Sequence, residues 1–542
     1  MGKISLTARG RRPAVIGVIA GGLVLATLGA GAWQISNEQA LASPAPAARA
    51  AANATPDPVS PSAPAPLLAS PSPSPAVPAG PTGPTGPIKN IVLILADDLD
   101  TVTFEQIGRL RALHAQGLTL KNMVVTDSLC CPSRSSILRS QYVHNHGVVS
   151  NLLASGGGWA TFATNGDEAD CLPTWLQAAG IQTAFIGKYL NGYGEDGDPT
   201  AIPPGWDRWF VPTTKSGMYR GYGYTVNDNG KLVTYATGKR DFLPDVVIDQ
   251  SVNFLRTAKS PFYLQINSTS PHDPAPVADR HLGSHPRAAM PRTLAFNTKG
   301  AHPAKWRSHR RPATARKIAR WDAYWRQRVQ STESIADTVT AVTDELRRTG
   351  QLDSSLIVVT SDNGFHAGAR RLGPGKRTPY LEDTTVPMIL IGPGITGGTK
   401  SRAMTSMIDL GPTFAELLGA QIPDWVDGRS LTPLFAGGMP WTWRTAVGSE
   451  SLGESTFADP DYQTVKPPKY HSLRTLKWLY VEYENGSREL FDRVSDPAEL
   501  NNVVTATAPE IVTALSDHLH ALATCTGDTC RTADTWTDAS SN

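Results

Sequence analysis

The sequence has almost no excess of charge of either sign, since 50 Lys and Arg residues against 48 Asp and Glu residues leave a formal net charge of +2. A surface that binds nucleic acid or coats another polyanion needs a strong basic excess, and the composition gives no indication of one. An anionic small molecule stays compatible with this balance because its binding depends on local charge. The 542 residues suffice for one large domain and a smaller appendage.

Cysteine is also scarce. The chain has five cysteines, an odd number, so they cannot all be paired within one chain. A dense disulfide framework is therefore excluded, and at least one thiol is left for another role.

The N-terminus has the pattern of an export signal. Arg11 and Arg12 precede an uncharged, mostly apolar run at 13–33, and residues 40–42 offer a small-x-small cleavage site. This order predicts a secretory signal peptide over residues 1–42. The run of 21 residues is also long enough to span a bilayer, so an uncleaved signal anchor is the alternative. In both cases we expect the folded part to lie outside the cytoplasm.

Composition divides the rest of the chain. Residues 43–87 contain 14 prolines among 45 residues and are predicted to form a disordered, extended linker. We expect a large α/β domain over 88–443, a small C-terminal α+β subdomain over 444–522 and a tail over 523–542. The alternating stretch 473–483, followed by Asn485-Gly486, predicts an antiparallel hairpin in the small subdomain.

Two apolar runs, 90–96 and 356–360, have the continuous hydrophobicity of strands buried on both faces of a parallel sheet. After these runs come four residues whose side chains each carry an oxygen atom that can bind a metal: Asp97, Asp98, Asp362 and Asn363. Open α/β sheets bind ligands at the carboxyl ends of their strands, so we expect these side chains to converge. Ligation by oxygen alone favours Ca²⁺ or Mg²⁺ over zinc.

Between these strands, residues 130–134 read Cys-Cys-Pro-Ser-Arg and open a predicted helix. This segment resembles the C-x-P-S-R signature of the formylglycine-dependent sulfatases of the alkaline phosphatase superfamily. In that family the first cysteine is oxidised to formylglycine, so the resemblance implies that Cys130 is the modified nucleophile and that Arg134 stabilises it. Taken alone, two neighbouring cysteines are also compatible with simple packing or pairing.

Further segments follow in the order of that family. Lys188 comes directly after an apolar strand, His272 lies in a Ser-Pro-His-Asp-Pro turn, and Lys376 follows Gly373-Pro374-Gly375. The resemblance implies that all three contact the sulfate or the leaving oxygen. Leu190 stands where many sulfatases have a histidine, and this departure resembles the N-acetylglucosamine-6-sulfatase branch.

The resemblance also implies a metal site. Its ligands would be Asp97, Asp98, Asp362 and Asn363 together with the modified Cys130, and the usual ion is Ca²⁺, with Mg²⁺ as the alternative. Of the groups near this site, Asp362 is favoured over His366 for assisting proton transfer.

If Cys130 is modified, four cysteines remain to pair in an oxidising compartment. We expect a disulfide between Cys525 and Cys530, which close a short local loop, and a second one between Cys131 and Cys171.

The predicted fold is a large, mostly parallel mixed sheet sandwiched by helices, with a small antiparallel C-terminal subdomain. Val339 and Leu346 belong to a helical apolar repeat that would cover the sheet. The basic, tryptophan-containing stretch 287–328 is interpreted as solvated surface.

The resemblance implies a sulfuric ester hydrolase that acts on sulfated sugars or aryl sulfates and depends on a formylglycine-generating enzyme. One alternative is a phosphonate or phosphate ester hydrolase of the same superfamily. The other is a non-catalytic surface protein that binds sulfated glycans. Every ligand position of the family is filled, which argues against an inactive protein.

Overall fold

The structure, a computed structural model, describes residues 88–535 except 455, 458, 460 and 462–465. The predicted signal segment at 1–42 and the predicted linker at 43–87 lie outside the described residues. Among the residues that are described, no helix combines the length and the apolar character needed to cross a bilayer.

A ten-stranded mixed sheet forms the centre of the molecule. Its strands are β1 (Asn90–Ala96), β2 (Leu118–Val124), β3 (Gln182–Gly187), β4 (Arg208–Pro212), β5 (Tyr224–Asp228), β6 (Lys231–Tyr235), β7 (Phe262–Asn267), β8 (Ser355–Ser361), β9 (Met388–Ile391) and β10 (Lys400–Ser406). They lie in the order β10-β2-β9-β8-β1-β7-β3-β4-β5-β6. The central strands β8, β1, β7, β3 and β4 are parallel, whereas β9 runs antiparallel to both of its neighbours.

Helices cover both faces of this sheet. Those of the described chain are α1 (Thr101–Gln106), α2 (Gly108–Arg111), α3 (Cys130–Arg139), α4 (Val143–His146), α5 (Gly158–Thr164), α6 (Leu172–Ala178), α7 (Lys215–Arg220), α8 (Leu243–Thr257), α9 (Lys305–Ser308), α10 (Ala315–Arg348), α11 (Leu381–Thr384), α12 (Leu410–Leu418), α13 (Pro509–Ala523) and α14 (Asp528–Ala533). Alternate side chains of β1 enter opposite cores, so Leu93 packs with α3, α6 and α12, and Ile94 packs with α1, α8 and α10. The predicted fold class is confirmed.

The stretch 287–328 is only partly surface, which corrects its interpretation from the sequence. Arg328 lies on α10 and is fully buried. Its guanidinium donates hydrogen bonds to the carbonyl oxygens of Asp98, at 2.6 Å, and Pro271, at 2.9 Å. The Phe365 ring lies 3.7 Å from the guanidinium carbon. Its hydrogen bonds to these two backbone carbonyl groups therefore stabilise Arg328 in the interior.

A separate four-stranded antiparallel sheet follows, with strands β11 (Ala446–Ser451), β12 (Tyr470–Thr475), β13 (Trp478–Tyr483) and β14 (Arg488–Asp492) in sequential order. The predicted hairpin is confirmed as β13–β14. The stretch 473–483 is, however, not one strand, because the chain reverses between Thr475 and Trp478. The Thr475 hydroxyl oxygen accepts hydrogen bonds from the backbone N–H groups of Lys477, at 3.1 Å, and Trp478, at 2.8 Å, which stabilise the turn.

One of the two predicted disulfides is present. Cys525 and Cys530 form a disulfide, and this bond and α14 fall within the segment expected as a tail. Cys131 and Cys171 are both free thiols buried in the core, so the second expected disulfide is not formed. The Cys171 sulfur instead donates to the Glu168 carbonyl oxygen at 3.5 Å, within the turn that opens α6.

Arg444 connects distant parts of the chain just before the small sheet. It is buried and donates to both carboxylate oxygens of Asp409, at 2.7 and 3.0 Å. Its Nε also lies 2.9 Å from a carboxylate oxygen of Asp534, directly after α14. The arginine therefore joins the entrance of α12 to the end of the described chain.

We expect Arg444→Met to lower the free energy of unfolding by about 3 kcal/mol or more, because two carboxylates lose their buried partner. Denaturant unfolding followed by tryptophan fluorescence measures the change. Arg347→Met is the matched control, since the ion pair of Arg347 with Asp344 is exposed and worth little. Equal unfolding midpoints for the two variants would contradict the structural role of Arg444.

Candidate active site

The candidate site lies at the carboxyl ends of β1 and β8. The register of these strands places Ala96 beside Ser361, so the residues that follow both strands enter the same space. The backbone N–H of Asp98 donates to Asp362 Oδ1 at 3.1 Å. Asp97, Asp98 and Asp362 are all buried. The predicted convergence of these acidic side chains is therefore present.

Helix α3 delivers Cys130 to this edge. The helix begins at Cys130 itself and includes Pro132 in its first turn, at the end where the helix dipole is positive. The Cys130 thiol donates to Asp97 Oδ1 at 3.2 Å, and Lys376 Nζ lies 2.8 Å from the sulfur. Burial, together with the charge of Asp97, raises the pKa of Cys130 well above its ordinary value. The unmodified residue is thus a neutral thiol.

Each acidic side chain has a buried cation beside it. Lys188, directly after β3, donates to Asp97 Oδ2 at 2.7 Å, and Lys376 donates to Asp98 Oδ1 at 2.6 Å. Arg134, one turn into α3, donates to Asp362 Oδ2 at 2.7 Å. Burial raises the pKa of Asp97, but the nearby positive charges, Lys188 foremost, outweigh it and hold that pKa below its usual range. The site combines carboxylates with lysine and arginine side chains.

The donor atoms of the site fit a hard divalent cation. Asn363 Nδ2 donates to Asp98 Oδ1 at 2.7 Å, whereas the buried Asn363 Oδ1 has no hydrogen-bond partner among the described residues. Such an orphaned oxygen beside carboxylates is suited to a metal ion. Asp97, Asp98, Cys130 and His272 also present ligand atoms within 4.8 Å of one another. The predicted ligand Asp362 is not one of these four residues, and Arg134 engages its carboxylate.

His272, in the turn after β7, faces the same centre. Its ring stacks on the Tyr219 ring at a centroid distance of 4.2 Å, and its Nδ1 lies 2.7 Å from the Asp273 carbonyl oxygen. Burial lowers the pKa of His272, but Asp97, Tyr219 and Asp461 outweigh it and raise the pKa to about 10. A protonated imidazolium is a further cation for an anionic ligand.

Asp461 is a site residue that the sequence did not reveal. Its carboxylate lies 3.0 Å from His272 Nε2, 3.1 Å from Lys376 Nζ and 3.8 Å from the Cys130 sulfur. Asn151 Nδ2 also donates to it, at 2.8 Å. Because Asp461 lies outside the helices and strands and outside any motif, no pattern in the sequence pointed to it. The Asp461 carboxylate is an anion, so His272, Lys376 and Asn151 together form a place where an anionic group can lie.

His366 does not join this group. Its Nδ1 is 2.9 Å from both carboxylate oxygens of the buried Asp383. No hydrogen bond or ion pair links it to Cys130 within the described ranges. His144 and His146 are likewise structural, since they contact Glu450 and the Ser136 hydroxyl.

Two protein-family models match the chain. The model described as Sulfatase matches residues 89–420. The model described as N-sulphoglucosamine sulphohydrolase, C-terminal, matches residues 375–524. The first match contains every residue of the site except Asp461, which lies in the second.

Known proteins extend this similarity. The N-acetylglucosamine-6-sulfatase of Capra hircus is 33% identical over 481 residues, which cover 82% of this chain and 85% of that protein. The extracellular sulfatase SULF-1 homolog of Drosophila melanogaster is 32% identical over 64% of this chain and 31% of that protein. A solved structure of a protein in complex with its substrate D-glucosamine-2-N,6-O-disulfate superposes with a TM-score of 0.69 at 22% identity, covering 82% of this chain and 99% of that chain. At this identity the structural likeness shows a shared fold.

We expect Asp461→Asn to bind inorganic sulfate about tenfold more tightly, because the variant removes an anion that would repel the oxyanion at close range. Isothermal titration calorimetry with sodium sulfate measures the dissociation constant. Asp459→Asn is the control, since Asp459 also accepts a hydrogen bond from Asn151 but pairs with Arg377 instead of Lys376. Unchanged sulfate affinity in Asp461→Asn would show that the oxyanion binds elsewhere.

Proposed function

The chain belongs to the sulfatase family and is a sulfuric ester hydrolase, and we propose that its substrates are sulfate monoesters of sugars of the N-acetylglucosamine-6-sulfate type. Aryl sulfates are the second substrate class. The observation that carries the proposal is the position of Cys130 in the first turn of α3, with its sulfur 2.8 Å from Lys376 Nζ and 3.2 Å from Asp97 Oδ1.

The cations of the site would bind the sulfate group. His272 Nε2 and Lys376 Nζ both contact the Asp461 carboxylate, so both can donate to one anionic point. An entering sulfate would compete with that carboxylate for the same donors. Preorganised donors of this kind also stabilise the charge that develops on the sulfuryl and leaving oxygens.

The nucleophile would come from Cys130. Formylglycine, produced there by a formylglycine-generating enzyme, would supply as its hydrate the attacking hydroxyl that a thiol cannot. Asp97 Oδ1 accepts the proton of the Cys130 thiol, and it is placed to accept a hydroxyl proton at the same position. Asp362 is less available for proton transfer than the sequence indicated, because Arg134 and two backbone N–H groups occupy its oxygens.

A divalent cation, with Ca²⁺ proposed before Mg²⁺, would be held by Asp97, Asp98, Asp362 and Asn363 together with the modified Cys130. When bound, it would act as a Lewis acid toward sulfate oxygens. The unpartnered Asn363 Oδ1 supports this assignment. Lys188 and Lys376 now neutralise Asp97 and Asp98, and both would remain close enough to donate to sulfate oxygens.

The leaving alkoxide needs a proton or a hydrogen bond as the S–O bond breaks. Lys376 and His272 are the two candidate donors, because both lie beside Cys130 or Asp461 with a buried N–H group. His366 is excluded from this role by its bonds to Asp383.

We also propose the chain layout and location indicated by the sequence. The catalytic domain would occupy 88–443 and the small subdomain 444–522, with export directed by residues 1–42 and the apolar run 13–33 either cleaved or kept as an anchor. The protein would act outside the cytoplasm, and its relatives include an extracellular sulfatase homologue.

The tryptic peptide that contains Cys130 should be about 18 Da lighter than the unmodified sequence when the protein is produced with a formylglycine-generating enzyme. Mass spectrometry measures this difference. Cys130→Ala should lose hydrolysis of N-acetylglucosamine-6-sulfate, whereas Cys131→Ala should keep both the mass change and activity. An unmodified but active protein would overturn the mechanism, and faster hydrolysis of a phosphonate ester than of a sulfate ester would favour the phosphonate hydrolase alternative.

Added Ca²⁺ should raise the thermal unfolding midpoint of the protein after treatment with a chelator, because a ligand that binds only the folded state stabilises it. Asn363→Ala should reduce this shift by removing one oxygen ligand. Asn145→Ala is the control, since its side chain bonds Asp427 away from the site. An equal Ca²⁺ shift in Asn363→Ala and the unsubstituted protein would contradict the assigned ligand.

A further inference from the structure

A small cavity lies beside the charged residues that surround Cys130, and it plays no part in the steps above. Its volume is about 70 Å³, and Lys188 and Asn151, both already described at the site, line it. Tyr219, Asn191 and Glu195 line it as well. This volume equals about two water molecules, which also suits one polar substituent of a sugar ring.

Two residues of the lining carry a buried polar atom without a partner in the described part of the chain. Tyr219 Oη and Asn191 Oδ1 are both enclosed, and neither has a hydrogen-bond partner among the described residues. Tyr219 is 7% exposed. Buried polar groups are almost always paired, so two orphans on residues that line one small cavity indicate a missing hydrogen-bonding ligand.

Tyr219 links this cavity to the reacting centre. Its ring stacks on His272 at 4.2 Å and lies 5.1 Å from Lys188 Nζ. A molecule whose sulfate rests on Lys188 and His272 would therefore place its neighbouring groups against the same tyrosine. The cavity is thus positioned to contact the part of a substrate next to its sulfate.

The charges at the cavity select among substituents. Glu195 and Asp196 bring two carboxylates to the outer end, against the single ammonium of Lys215. At the inner end the charge of Lys188 is matched by Asp97. An excess of acceptors and negative charge favours groups that donate hydrogen bonds and repels a second sulfate.

We propose that this cavity is a subsite for the hydroxyl or amide N–H groups of the sugar that carries the scissile sulfate, and that Tyr219 is its specificity-determining residue. The subsite rests on the proposed function, since it names the substrate groups that the same site recognises. It prefers a neutral N-acetyl sugar to one with a second, N-linked sulfate.

The test uses the full chain with Cys130→Ser, which binds without turnover and needs no formylglycine. Calorimetry gives the dissociation constants of N-acetylglucosamine-6-sulfate and of 4-nitrophenyl sulfate, which has neither hydroxyl nor N–H groups. Adding Tyr219→Phe should lower the affinity for the sugar relative to the aryl sulfate about three- to tenfold, the effect of one lost hydrogen bond.

Tyr224→Phe is the matched control, because Tyr224 is also buried with an unpartnered hydroxyl but does not line the cavity. It should leave the affinity ratio within about twofold. The same ratio in Tyr219→Phe and Tyr224→Phe would overturn the subsite and leave the cavity to water alone. No binding of either sulfate by the Cys130→Ser protein would instead overturn the proposed function, and the subsite with it.

A second measurement tests the charge argument without altering Tyr219. Replacing both Glu195 by Gln and Asp196 by Asn should raise the affinity for D-glucosamine-2-N,6-O-disulfate relative to N-acetylglucosamine-6-sulfate several-fold. Both residues are exposed, so the substitutions leave the core intact. An unchanged preference between the two sugars would contradict the charge selection.

Discussion

Mutual neutralisation of buried charges is the constraint on which the site depends. Three carboxylates and three cations, each at most 2% exposed, meet at one edge of the sheet, and they are Asp97, Asp98, Asp362, Arg134, Lys188 and Lys376. A charge removed from water is costly unless a partner compensates it. Each element that delivers one of these groups therefore requires the others to be in place.

Parallel pairing brings these groups together from distant parts of the chain. Strands β8, β1, β7 and β3 are neighbours and parallel, so their carboxyl ends lie at one edge. Asp362, Asp97, His272 and Lys188 each lie at or beyond the end of one of these strands. Arg328 stabilises the loops after β1 and β7, because it donates hydrogen bonds to the carbonyl oxygens of Asp98 and Pro271.

The C-terminal part of the chain completes the site rather than merely extending the fold. Asp461, which precedes β12, reaches Lys376 and His272. Arg444, just before the small sheet, pairs with both Asp409 and Asp534 and so joins the large domain to the end of the described chain. The positions of Lys376 and His272 are therefore coupled to the segment that leads into the small sheet.

The amino-acid sequence alone determined the fold class, the place of Cys130 at the start of a helix and most of the charged groups around it, because these depend on short-range patterns. Continuous apolar runs identify buried strands, and the residues after Ala96 and Ser361 follow directly from their ends. Tertiary structure alone decided the contacts of Asp461, Arg328 and Tyr219, which come from a segment without a motif, a basic stretch and a short helix. It also separated Cys131 from Cys171, directed His366 to Asp383 and divided 473–483 into two strands. The physical reason is the same throughout: local patterns specify how a segment folds, whereas the partner of a buried polar side chain depends on which distant segments pack against it.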